Sequence, residues 1–166
     1  MKNNLAIVTL SNNYSRQIGK QLANFLELFY VDLNDILEYN LVNSIMLEVA
    51  GKEYFESERQ KVIKSVAQFD NSLVVGDIEL FLANNNFNYF KNNFYVIYLY
   101  CEKDKIDAIE NNFNTKRQLF AFEEEDKICR IFASLVIDIK SDSKNDFEVI
   151  KKALLDYLEE SNGNWW

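Results

Sequence analysis

The sequence predicts a single α/β domain built on a mainly parallel sheet, and three observations carry that prediction. Short, nearly continuous apolar runs recur along the chain, the pattern of strands buried on both faces. Between them the apolar spacing changes to the 3.6-residue period of amphipathic helices. No Pro/Gly/Ser-rich linker or internal repeat interrupts the alternation, and 166 residues is close to the length of one domain. Residues 1–160 are assigned to the domain and 161–166 to a C-terminal tail.

The elements follow in order. Residues 5–10 (LAIVTL) form the first strand, and Ser11-Asn12-Asn13-Tyr14 a polar loop. A helix begins at Ser15, with Ile18, Leu22, Phe25 and Leu26 on one face. Residues 29–32 are a second short strand. Residues 33–50 read as one helix through Ile36, Leu37, Leu41, Ile45 and Val49. Residues 53–68 make a clearer amphipathic helix through Phe55, Val62 and Val66. Residues 72–75 are the third strand, and the Asn-rich stretch 84–93 a surface helix or loop. Residues 94–100 (FYVIYLY) carry the strongest strand signal, being β-branched and aromatic. Residues 104–113 are read as helical, 114–126 as mixed and acidic, and 135–139 as the fifth strand. A closing helix spans 146–160 through Phe147, Ile150, Leu154 and Tyr157, capped by Ser143 or Asn145.

Composition narrows the chemistry. There is no histidine and only two cysteines, Cys101 and Cys129, which excludes a His-based triad, a zincin site and a Cys/His zinc cluster. The net charge of −8 makes a nucleic-acid backbone a poor partner. No apolar run reaches the roughly 18 residues of a membrane span, and none has the layout of a signal peptide. The expectation is a cytoplasmic protein with reduced thiols and no membrane partner.

In parallel α/β sheets ligands sit at the carboxyl ends of the strands. The informative residues should therefore follow Leu10, Val31, Val75 and Leu99. A phosphate-cradling loop needs G-x-x-x-x-G-K-[ST], because glycines let backbone N–H groups approach phosphate, the lysine neutralises it and the hydroxyl holds Mg²⁺. No such motif follows the first strand. Gly19-Lys20 is followed by Gln21 and lies inside the helix.

Later segments, taken in order, nevertheless share a pattern. Phe29-Tyr30-Val31-Asp32-Leu33-Asn34, with Leu37-Glu38, resembles the F-x-D-x-D-x-x-I-E segment of shikimate kinases. Gly51-Lys52-Glu53-Tyr54-Phe55 resembles their G-E-x-x-F-R. Asn86-Phe87-Asn88-Tyr89-Phe90 before Val96-Ile97-Tyr98-Leu99 resembles N-R-x-L-L before V-V-Y-L. Arg117-Gln118-Leu119-Phe120 resembles R-P-L-L, and Ala133-Ser134-Leu135-Val136-Ile137-Asp138 resembles A-D-x-V-I-D. The resemblance covers nearly the whole chain in order. It implies a three-layer, five-stranded parallel sheet in order 2-3-1-4-5, with the first strand central.

Carried over residue by residue, the resemblance implies a dismantled site. The family's G-x-x-G-x-G-K-S-T falls on residues 9–17. Ser11, Asn12, Asn13 and Tyr14 stand where the loop is glycine-rich, Ser15 where the phosphate lysine belongs, and Arg16 where a hydroxyl binds Mg²⁺. Asp32 keeps the first acid of D-x-D. Asn34 replaces the second, the implied base, and an amide cannot accept that proton. Glu56 inverts the charge of the substrate-binding arginine, and Asp77-Ile78-Glu79 replaces three glycines. Of the family's site arginines, only that of R-P-L-L is retained, as Arg117. Losing one preorganised charge aimed at a transition state costs about 3–4 kcal/mol, and here several are missing together.

The expectation is a non-catalytic member: a pseudoenzyme or binding module for a small molecule or protein partner, with no cofactor. The alternatives are an active small-molecule kinase with a rebuilt site, using Mg²⁺ and ATP, and a structural or interaction protein. Asp32 reads as a relic metal ligand or as the cap of the next helix. Arg117 binds an anion or pairs with Glu56 or Glu79, in a pocket otherwise acidic through Glu56, Asp77 and Glu79. The run 123–126 (EEED) is a solvated face. Trp165-Trp166 docks on the domain, binds a partner or frays. Tyr14 is expected to fill the former phosphate space. Arg16, read as part of the first helical turn, should contact Asp32, Asp77 or Glu79, because a cation there opposes the positive helix end.

Overall fold

A computed structural model describes residues 4–109, 119–140 and 145–162. Five strands, β1 (Leu5–Val8), β2 (Phe29–Asp32), β3 (Ser72–Val75), β4 (Tyr95–Cys101) and β5 (Leu135–Ile139), form one sheet. Its order is β2-β3-β1-β4-β5 and every pairing is parallel. Strand β1 is central and every residue in it is buried, as is every residue of β3. That is why both read as unbroken apolar runs rather than as alternating ones.

Helices cover both faces. On one, α1 (Asn12–Phe25) lies against β2 and β3 and touches α9 (Asp146–Asn162), which packs on β5. On the other, α6 (Asn86–Asn93) and α8 (Leu119–Phe132) lie against β4, with α4 (Lys52–Val66) beside α6. The Asn-rich stretch is a helix with a buried aromatic side. Phe87 and Phe90 pack around Phe81, and the Phe87 ring stacks on Phe132 at 5.0 Å. Ahead of α6, α5 (Ile78–Leu82) leads into a 3₁₀ turn (Ala83–Asn85), where Asn84 and Asn85 take left-handed backbone at φ 50° and 59°. Asparagine tolerates that region better than most residues.

Gly19 sits where α1 crosses the sheet. A Cβ there would come within 2.5 Å of Val75 Cγ1, so the glycine sets how closely helix and strand approach. At the opposite end of the sheet from the site, Asn4 ties three segments. Its amide donates to the carbonyls of Phe69 (2.8 Å) and Asn93 (3.3 Å) and its Oδ1 accepts from Ser72 N–H (3.0 Å).

Four expectations are corrected. The polar loop after β1 is shorter than read: Ser11 is the N-cap of α1 and residues 12–14 are already helical. Arg16 therefore lies beyond the first turn. Residues 33–50 are two helices, α2 (Leu33–Tyr39) and α3 (Ser44–Ala50), because Asn43 caps a new start by accepting from the N–H groups of Ile45 and Met46. The acidic part of 114–126 belongs to α8, where Glu123 and Glu124 are exposed as a solvated face while Asp126 is engaged. Helix α7 is described over Lys103–Ile109. The rest of 104–113, Arg117 and Trp165-Trp166 lie outside the described residues.

Candidate functional site

The strand order reverses on either side of β1, so the carboxyl ends of β1, β2 and β3 frame the crevice where ligands bind in such sheets. The β1–α1 connection is closed on itself. Thr9 Oγ1 accepts from Ser11 N–H (2.8 Å) and donates to Ser11 C=O (3.1 Å). Ser11 Oγ accepts from Tyr14 N–H at 3.3 Å, and Ser11 C=O from Ser15 N–H at 3.0 Å. Ser15 Oγ donates to Asn12 C=O at 2.8 Å. The amide hydrogens of Ser11, Tyr14 and Ser15 thus have partners within the turn.

Arg16 projects from α1 across the ends of β2 and β3. Its Nε donates to Asp32 Oδ2 at 2.7 Å, and its Nη2 to Asp77 Oδ1 at 3.3 Å. The Asp32 side chain is only 3% exposed, and its other oxygen caps α2 by accepting from Asn34 N–H at 2.9 Å. Asn34 Oδ1 in turn accepts from Asp77 N–H at 3.0 Å. Arg16, Asp32, Asn34 and Asp77 therefore close a ring that joins α1, β2, α2 and the loop after β3. Burial lowers the Arg16 pKa, and the Asp32 and Asp77 carboxylates more than offset that, so the guanidinium is held charged. On Tyr30, burial first and then Asp32 push the phenol up to about 12, while Arg16 pulls it down.

The predicted Arg16–carboxylate contact is present, with Asp32 and Asp77 both engaged. Asp32 is a helix cap, as one of the two readings held. Tyr14 is buried and its hydroxyl donates to Asp146 Oδ2 (2.8 Å) at the start of α9. Lys105 donates to the same carboxylate at 2.8 Å and to Lys140 C=O at 3.0 Å. That polar link between α1, α7 and α9 spans 132 positions in sequence, and no local signal announced it. Glu56 pairs with Arg59, one turn along α4, rather than facing the cleft as a lone charge. Sequence reasoning missed Arg59, although Glu-x-x-Arg spacing on a helix is a recognisable signal. Glu79 is exposed in the first turn of α5. Cys101 and Cys129 are buried free thiols whose pKa burial raises to about 12.

The family model for shikimate kinase matches residues 16–155. The chain belongs to the shikimate kinase family. No curated protein matches the sequence at a significant level. Among solved structures, the fold is similar to the shikimate kinase of Acinetobacter baumannii in complex with shikimate, with a TM-score of 0.74, 16% identity and coverage of 96% of this chain and 94% of that one. It is also similar to the shikimate kinase of Aquifex aeolicus, with a TM-score of 0.72, 19% identity and coverage of 97% and 99%. A sugar kinase from Janibacter sp. is more distant, with a TM-score of 0.58 and 9% identity over 98% of each chain. These likenesses establish the small-molecule kinase fold. No helix among the described residues is long and apolar enough to cross a membrane.

Proposed function

We propose that this family member does not transfer phosphate and serves instead as a binding module built on the kinase fold. One observation carries the reading: the Arg16 guanidinium lies 2.7 Å from Asp32. By the resemblance, Arg16 stands in place of the Mg²⁺-binding hydroxyl and Asp32 is the acid kept beside it. A fixed positive charge on that carboxylate repels a divalent cation and uses the oxygen that the metal would need.

The remaining groups do not fit Mg·ATP either. The amides of Ser11, Tyr14 and Ser15 are turned to partners in the protein, whereas a phosphate nest needs such groups unpaired. Ser15, at the lysine position, brings no charge and bonds back to Asn12. Asn34 carries no carboxylate to accept a proton, and its carbonyl already holds Asp77 N–H.

Thermal-shift titration with Mg·ATP and with shikimate, alongside a coupled assay for ADP release, tests the reading. A ligand at a hundredfold excess over its Kd stabilises by about 2.7 kcal/mol, which moves the midpoint by several degrees. The expected result is no shift at millimolar concentration of either compound and no ADP release above the uncatalysed rate. A saturable shift with Mg·ATP, or shikimate-dependent ADP release, overturns it in favour of an active kinase with a rebuilt site.

A further inference from the structure

We draw no further inference here: the strongest candidate, the side-chain cluster of Tyr14, Lys105 and Asp146 that ties α1 and α7 to the start of α9, joins groups that are already one another's partners, and nothing in the structure shows what would release it.

Discussion

Two arginines in this molecule are each held between two aspartates, and they do different work. Arg16 lies between Asp32 and Asp77, and Arg130 between Asp126 and Asp138. The chemistry is the same, and the settings are not. Arg130 reaches Asp126 one turn away on its own helix, at 3.1 Å, and Asp138 at 67% side-chain exposure. Arg16 reaches across 16 and 61 residues of sequence to a carboxylate that is 3% exposed. Surface pairs of the first kind contribute little, because water screens them and two long side chains must be ordered. A buried pair of the second kind does not by itself make a protein more stable than apolar packing does. It makes each partner indispensable to the other.

Removing Arg16 is therefore the largest test of the difference. Arg16→Ala strands the Asp32 carboxylate, and discounted for the partial exposure of Arg16 the loss should be about 2–3 kcal/mol in urea denaturation. Gly19→Ala perturbs the same corner through geometry. The new methyl group meets Val75 Cγ1 at 2.5 Å and pushes α1 off β3, at a net cost of about 1–2 kcal/mol once improved helix propensity is counted. Arg130→Ala should cost below about 1 kcal/mol, even though Arg130 also covers the Tyr100 ring at 4.6 Å. An Arg130 variant as damaging as the Arg16 variant would erase the distinction between the two sites.

Alkaline titration sharpens it further. Tyr30 should ionise late, near pH 12, and later still in Arg16→Ala, because the guanidinium lowers its pKa in the wild-type protein. Its pKa is raised in the folded state, so the stability linked to it is complete below pH 10. It is lost as pH climbs toward 12, where the unfolded chain gives up its proton first. Cys101 and Cys129 act in the same direction from about pH 9 upward. Residue-resolved NMR titration reads the first effect and denaturation across that pH range the second.

Much of the sheet was legible: β2, β3 and β5 have the bounds read from the sequence, although of these only β3 is buried throughout, while Phe29 in β2 and Asp138 in β5 are exposed. Helix limits were harder. Leu41, Ile45 and Val49 keep a four-residue spacing straight through the break at 40–43, so periodicity joined α2 to α3. Only the cap signature Asn43-Ser44 marked the new start. In α8 the acidic run 123–126 interrupts the apolar stripe that Phe122 and Cys129 continue. The first turn of α1 was hidden by two asparagines, poor helix formers that Ser11 overrides by capping. At the site, the Arg16 contact was legible because Asp32 and Asp77 follow adjacent strands at the end of the sheet that α1 starts from, although the helix-end argument for it does not apply to a residue beyond the first turn. The ring through Asn34 and the Tyr14–Asp146–Lys105 link depend on tertiary placement that no spacing encodes.

A corner sealed by a residue of the chain behaves differently from one sealed by a solute. Occupancy by a bound metal rises and falls with its free concentration, with chelators and with competing ions. Arg16 is tethered, so its occupancy is set once, at folding, and cannot be titrated away. The junction of α1 with the ends of β2 and β3 should hold in EDTA as it does in magnesium. On the proposed reading, control reaches this protein by a route other than the supply of a divalent ion to that corner.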